Sequence, residues 1–322
     1  MNITRSLVRM TLFIAAINSA TAMAQTTYAQ KLGWPAQARL LILHVDDAGM
    51  SAASNRGTIK AVNEGVANSF SVMMPTPWVP QIVEFIQANP DMDAGLHLTL
   101  NAEWQHYRWG PLLGKPAAPG LVDKQGAMHS TVDQVVQHAS PEEVLNEIRA
   151  QLERARTMGF EPTHLDSHMG TLFAKPEFLQ AYIQLGVENK LPIMFPGGHN
   201  FYASQLYPDQ VGEETLAAGK QIWQAGLVVL DDLHNTSYGW SRDNKVDNYV
   251  QAIKGLKPGV TMMIMHCTDI DEDFHLISDS YESRVGDMEA MLHPRVKQAL
   301  KDENIILTTW RELQQRRNQL SQ

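Results

Sequence analysis

Short apolar runs alternate along the chain with longer segments of helical periodicity. The runs predict eight strands, at 39–45, 69–75, 93–100, 163–169, 192–197, 226–232, 261–267 and 304–309. Amphipathic stretches lie between most of them. The stretch 140–159 opens with Ser140-Pro141-Glu142-Glu143, in which a capping serine precedes a proline at the first helical position. Strands that alternate with helices indicate parallel pairing through right-handed crossovers.

This alternation predicts an α/β fold, and eight strands match the count of a (β/α) barrel, in regular or distorted TIM-like form. Residues 101–140 break the pattern because they are rich in Gly, Pro, Trp and polar residues. We therefore expect a long insertion or lid after the third strand. A second irregular segment is expected at 198–218. The prediction is one barrel domain over residues 25–322.

The first 24 residues have the features of an export signal. Arg5 and Arg9 precede a short apolar run, and Ala22-Met23-Ala24 forms a small-x-small cleavage site before Gln25. The alternative is an N-terminal membrane anchor, but the run is shorter than the ~20 residues that span a bilayer. We expect cleavage, a periplasmic or secreted protein, and no membrane attachment afterwards.

Composition narrows the classes of function. The chain has 322 residues, of which 44% are hydrophobic and 19% charged, and a net charge of −9. This balance, without a basic stripe, argues against a nucleic-acid partner. Cys267 is the only cysteine, which excludes an intramolecular disulfide and a Cys-rich zinc site. Any bound metal must be held by His and carboxylate side chains.

Two adjacent aspartates close the first apolar run, in His44-Val45-Asp46-Asp47, and Gly49 follows them. One interpretation is a turn, which Asp and Gly both favour. The other is a site where a cation offsets the repulsion between the carboxylates. Other titratable residues fall at or near strand ends: His97, Asp166, His168 and His266. Because the carboxyl ends of parallel strands meet at one edge, this convergence favours a site.

The set Asp47, His97 and His168 offers two imidazoles and one carboxylate, a common open arrangement around a catalytic divalent ion. Zn²⁺ is the first choice, and Mg²⁺, Mn²⁺ or Co²⁺ are alternatives. Asp166 shares a strand face with His168 and is placed to orient an imidazole. His164, on the same face, is expected to be a core residue.

Adjacent side chains at a strand end are expected to point in different directions. One carboxylate can therefore bind the ion while its neighbour faces the attacking water. With Asp47 as the ligand, Asp46 becomes the base, although the spacing alone leaves the two roles interchangeable. His266, at the end of the seventh strand, is a candidate general acid, with a core or capping histidine as the alternative.

Other residues carry weaker signals. Arg284 could contact substrate, orient a catalytic carboxylate or form a surface ion pair. The acidic doublet in 230–234 favours a turn, with a substrate contact from Asp232 or His234 as the alternative. Aromatic residues in the insertion could stack on sugar rings or form a packed lid core: Trp104, Tyr107 and Trp109, with His106 among them.

Four motifs in order, HVDDAGMS, GLHLTL, HLDSH and ILTTWREL, together with the late strand-end histidine, resemble the YdjC-like carbohydrate deacetylases, distant relatives of the polysaccharide deacetylases. The resemblance extends from about residue 39 to 313. It implies a (β/α) barrel and metal-dependent removal of acetyl groups from N-acetylated sugars. By position, Asp46 matches the base and His266 the acid. The matching metal ligands are Asp47, His97 and His168.

The chain departs from the family pattern at two places. His168 is followed by Met169-Gly170-Thr171 rather than by further histidines, and His266 by Cys267-Thr268 rather than Pro-Gly. The metal set survives both departures, but the substrate contacts need not. The expected partner is therefore an N- or O-acetylated sugar or oligosaccharide of unspecified kind.

The sequence leaves two other classes of function open. A metal-dependent phosphoesterase or lyase on the same barrel would need phosphate-binding groups, and the strand ends show neither a Gly-rich cradle nor a Lys/Arg cluster. An exported sugar-binding protein with a structural metal would be expected to use four protein ligands.

Overall fold

The computed structural model describes residues 26–320, so the predicted export signal at 1–24 lies outside the described residues. Within them the chain forms one seven-stranded parallel sheet surrounded by helices. The strands are β1 Arg39–Ala48, β2 Ser69–Val72, β3 Ala94–Leu98, β4 Leu165–Ser167, β5 Asp232–His234, β6 Gly259–Met265 and β7 Ile306–Leu307. In this part of the chain, every helix is too short or too polar to cross a membrane.

Helices follow most of the strands. The α-helices are α1 Tyr28–Lys31, α2 Ala52–Asn63, α3 Val79–Ala88, α4 Val132–His138, α5 Pro141–Thr157, α6 Pro176–Asn189, α7 Ala203–Leu206, α8 Glu213–Gln224, α9 Lys245–Gly255, α10 Tyr281–Leu292, α11 Pro294–Asp302 and α12 Trp310–Gln319. Short 3₁₀ turns lie at Pro119–Leu121, His168–Phe173, Ser237–Gly239, Arg242–Asn244 and Phe274–Leu276.

The strand order is β4-β3-β2-β1-β6-β5, and β7 pairs with the first residues of β1. Isolated parallel bridges, Leu165 with Ile193 and Pro196 with Leu230, connect the two edges of this sheet through residues 193–196. The α/β barrel predicted from the sequence is therefore confirmed, in distorted form.

The predicted count of eight strands is wrong by one. The run 192–197 makes only these bridges, because Pro192 and Pro196 lack the backbone N–H that a continuous ladder requires. Of the predicted strand 226–232, only the last residue belongs to the sheet as a strand, since β5 begins at Asp232. The last run, 304–309, is reduced to the two residues of β7.

The barrel wall divides the core into two layers. Along β1, Leu40 and Ile42 belong to the hydrophobic cluster inside the barrel. Leu41 and Leu43 belong to the other cluster, which lies between the sheet and the helices. This alternation follows from the two-residue period of a strand. It also directs His44, which is fully buried, into the barrel interior.

The insertion after β3 is present and contributes to a third, smaller hydrophobic cluster. Trp104 and Trp109 are buried in a cluster with Met50 and Phe274, and the hydroxyl of Tyr107 donates to the carbonyl of Met50. For the two tryptophans, the packed-core interpretation is therefore correct.

Candidate metal centre and active site

The two aspartates at the end of β1 point into the same mouth of the barrel. The register of β1 against β2 shifts between Val45 and Ala48, and Asp47 has a φ of +65°. This left-handed conformation redirects its side chain, so that Asp46 and Asp47 both lie within 4 Å of His97 Nε2. The expectation that the two carboxylates diverge is wrong, because it assumed regular strand alternation.

Asp47, His97 and His168 come together as the sequence predicted. One ligand atom from each lies within 4.8 Å of the others. Asp47 Oδ1 is 3.3 Å from His97 Nε2 and 3.3 Å from His168 Nδ1. All three side chains are buried, and neither oxygen of Asp47 accepts a hydrogen bond of good geometry. Two imidazole nitrogens around an under-satisfied carboxylate fit a divalent cation.

In each of the two imidazoles, the nitrogen that faces away from Asp47 contacts a second carboxylate. The register of β3 and β4 places His97 beside Asp166, and His97 Nδ1 donates to Asp166 Oδ1 at 2.7 Å. His168 Nε2 lies 3.0 Å from Glu103 Oε2. These contacts leave one nitrogen of each ring facing Asp47. Glu103 was missed in the sequence because it lies in the irregular insertion, where no periodicity marks a functional position.

A third histidine, His44, lies below the two aspartates. Its Nε2 is 2.9 Å from Asp166 Oδ2 and 3.2 Å from Asp46 Oδ1, and its Nδ1 is 2.9 Å from Ser69 Oγ. Burial alone would lower the pKa of His44, but Asp166 and Asp46 raise it to about 9. The sequence showed this residue within the first motif without assigning it a role.

His266 lies at the opposite side of the mouth, one residue beyond β6. The register pairs Val45 with Met265, which brings His266 Nε2 to 3.9 Å from Asp46 Oδ2 and 4.0 Å from Asp47 Oδ2. Its backbone N–H donates to Asp287 Oδ2, and burial lowers the pKa of the imidazole.

Arg284, on α10, is buried rather than exposed, which excludes a surface ion pair. Its Nη2 is 2.8 Å from Asp47 Oδ2, and its guanidinium lies between the rings of Trp104 and Tyr238. Burial alone would raise the pKa of Asp47, but Arg284 with the two imidazoles holds it well below its usual range. Tyr238, half-exposed and 4.9 Å from the ring of His266, is a further site residue that the sequence did not indicate.

The second acidic doublet is structural. Asp231 accepts hydrogen bonds from the backbone of Tyr28 and Val260, and Asp232 from those of Tyr202 and Ala203 at the start of α7. Asp232 belongs to a strand, so the turn interpretation is wrong. His234 is buried and packs against the rings of Tyr202 and Trp240.

The fold and this cluster together define a distorted parallel α/β barrel with a candidate metal centre at the carboxyl ends of its strands. The family described as YdjC-like protein matches residues 40–302, and the chain belongs to this family.

The matches to two curated relatives extend over almost the full length of each relative. The chain is 24% identical over 272 residues to a carbohydrate deacetylase of Thermoanaerobacter pseudethanolicus, covering 84% of this chain and 98% of the relative. It is 27% identical over 278 residues to a carbohydrate deacetylase of Thermus thermophilus, covering 86% and 94%.

A crystal structure from Enterococcus faecalis V583, of a protein named for cellobiose-phosphate cleavage, matches with a TM-score of 0.72 and 21% identity. The match covers 86% of this chain and 99% of that one. At this identity the similarity concerns the fold.

Proposed function

We propose that the protein is a metal-dependent carbohydrate deacetylase, which hydrolyses the acetyl group of an N- or O-acetylated sugar. The observation that carries the proposal is the grouping of Asp47, His97 and His168 beside a further carboxylate, Asp46, and a further imidazole, His266. The names of the curated relatives support the same reaction and substrate class.

In this proposal Asp47, His97 and His168 hold a divalent cation, with Zn²⁺ as the first choice. When bound, the cation supplies Lewis acidity towards water and the acyl oxygen. Asp166 and Glu103 fix the rotation of the two imidazoles, so that the nitrogens facing Asp47 are held in place before the ion arrives.

Asp46 and His266 divide the proton transfers. Asp46 accepts a proton from the attacking water as the new C–O bond forms, and His266 donates one to the departing amine or alcohol as the old bond breaks. The products are acetate and the deacetylated sugar. The proximity of Asp46 Oδ2 and His266 Nε2, 3.9 Å apart, is consistent with two groups acting on one small acyl centre.

Export to the periplasm or the medium is proposed on the sequence of residues 1–24, with mature domain residues 25–322. Mass spectrometry of the protein recovered from a bacterial host would test this directly. A mature chain that begins at Gln25 is expected, and an uncleaved chain would contradict the proposal.

The test of the activity is acetate release from a panel of N- and O-acetylated sugars. Metal-stripped protein is assayed with and without Zn²⁺, Mg²⁺, Mn²⁺ or Co²⁺. Release should require a metal and be lost in His168→Ala. If the protein binds metal but releases acetate from none of the sugars, the deacetylase proposal is wrong.

A substitution at the base separates chemistry from metal binding. Asp46→Asn should leave the metal content unchanged, because Asp46 is not one of the three ligands. Turnover should fall by about 10²–10⁴-fold, the usual contribution of a general base. Metal analysis and kcat are measured on the same preparation, and full activity in this variant would rule out the role assigned to Asp46.

A further inference from the structure

His44 has more polar contacts than a core histidine needs. It is fully buried, and hydroxyl groups of Ser69 and Ser71 lie 2.9 Å from Nδ1 and 3.1 Å from Nε2. The same Nε2 is also 2.9 Å from Asp166 Oδ2 and 3.2 Å from Asp46 Oδ1. One imidazole therefore forms ion-pair contacts with two carboxylates that would otherwise repel each other inside the barrel, although neither of these two oxygens accepts a hydrogen bond of good geometry.

The two carboxylates belong to different parts of the proposed reaction. Asp166 uses its other oxygen to hold His97 Nδ1 at 2.7 Å, and so sets the ring that faces Asp47. Asp46 is the proposed base. A displacement of His44 would therefore move both the base and the support of a metal ligand.

We infer that His44 is a positioning residue, whose imidazole bridges Asp46 and Asp166 and thereby sets the proposed base and the ring of His97 together. The part that concerns Asp46 rests on the proposed function, whereas the part that concerns Asp166 and His97 rests on their contacts alone. Ser69, on β2, helps to orient this imidazole, because its hydroxyl lies 2.9 Å from Nδ1 on the opposite side of the ring.

A second metal ion is the competing explanation, since His44, His164 and Asp166 also bring ligand atoms within 4.8 Å of one another. The ring of His164 argues against it. Its Nε2 edge packs against Gly95 so closely that a Cβ there would lie 2.4 Å from Nε2, and it lies 3.9 Å from Asp166 Oδ2. The backbone of Gly95 thus crowds this edge of the ring, and the ring stacks on Trp310.

The test compares two substitutions of His44. His44→Leu removes the bridge. His44→Gln places an amide N–H donor at about the reach of Nε2 and retains part of the bridge. In His44→Leu the dissociation constant for Zn²⁺ should rise by about 10–100-fold, the usual effect of losing an outer partner of a metal ligand. Its kcat should fall by about 100-fold with little change in KM, and His44→Gln should recover most of both losses.

His164→Leu is the matched control, because it removes another buried histidine beside Asp166 whose Nε2 lies 3.9 Å from that carboxylate, against 2.9 Å for His44. It should leave the Zn²⁺ affinity and kcat near those of the wild type. Melting temperatures are measured for all three variants. One outcome would show a merely structural role and overturn the inference. In it, Zn²⁺ affinity and kcat fall in proportion to the melting temperature, to the same extent in His44→Leu and His164→Leu, and His44→Gln recovers neither.

The Zn²⁺ titration needs no substrate, so the two proposals can fail separately. A weaker Zn²⁺ affinity in His44→Leu with recovery in His44→Gln supports the inference even if the wild type releases no acetate. Unchanged affinity and unchanged kcat in a folded His44→Leu protein overturn it even if the deacetylase activity is established.

Discussion

Glu103 shows how an irregular segment can complete a site built on strands. Its carboxylate lies 3.0 Å from His168 Nε2 and is only partly exposed, so it fixes which nitrogen of His168 faces Asp47. Glu103→Ala should therefore weaken Zn²⁺ binding by about tenfold, through a less ordered imidazole. Glu103→Gln keeps an acceptor and should lose less. The measurement is a Zn²⁺ titration of each variant, and equal affinities in Glu103→Ala and the wild type would contradict this role.

At the scale of single residues, the sequence predicted the candidate site residues that lie at strand ends. Asp47, His97 and His168 could be grouped because parallel strands deliver their carboxyl ends to one edge. Glu103 and Tyr238 could not, because each lies in a segment without periodic pattern. The shared direction of Asp46 and Asp47 was also out of reach, since it depends on a backbone shift and a positive φ.

At the scale of elements, α5 anchors both the end of β3 and the insertion. The buried carboxylate of Glu147 accepts hydrogen bonds from the backbone N–H groups of Leu112 and Leu113. Gln151, one turn later, exchanges two hydrogen bonds with the backbone of Thr99. A single helix thus holds the chain on either side of Glu103 and the two buried tryptophans.

Removal of the Glu147 carboxylate should destabilise the fold at this junction. Glu147→Ala leaves two backbone N–H groups without their acceptor, at about 1–3 kcal/mol for each one that stays buried. We expect a loss of about 3 kcal/mol in the free energy of unfolding, measured by urea denaturation. Glu153→Ala, on the exposed face of the same helix, should change it by less than about 0.5 kcal/mol. Equal losses in the free energy of unfolding would show that the hydrogen bonds of Glu147 do not stabilise the fold.

The elements themselves were largely predictable, because buried parallel strands are continuous apolar runs and α5 carries clear start signals. The predicted helix 140–159 corresponds to α5, Pro141–Thr157, with its capping box between Ser140 and Glu143. The pairing partners were less predictable. Whether 192–197 forms a strand depends on hydrogen bonds that two prolines cannot donate, and β7 meets β1 over only two residues.

For the whole molecule, the balance of buried charge at the barrel mouth is the feature that matters most. Asp46, Asp47 and Asp166 are buried together there, and the guanidinium of Arg284 forms an ion pair with Asp47. Protonated imidazoles complete this balance because, although burial alone would lower it, the facing carboxylates raise the pKa of His44 and of His168 to about 9. A divalent cation held by Asp47, His97 and His168 would take the place of the proton on His168. Because these three ligands come together only in the folded chain, the folded protein should be markedly more stable with the cation than without it.

A ligand that binds only the folded state, present at 100 times its dissociation constant, stabilises that state by about 2.7 kcal/mol. In a protein of this size the melting temperature should rise by roughly 4 °C. Differential scanning calorimetry of metal-stripped protein, with and without Zn²⁺, measures the shift, and a chelator should reverse it. His168→Ala should show little of this stabilisation because one of the three ligands is gone. If the variant is stabilised as much as the wild type, the cation binds elsewhere and the charge balance at the mouth has another origin.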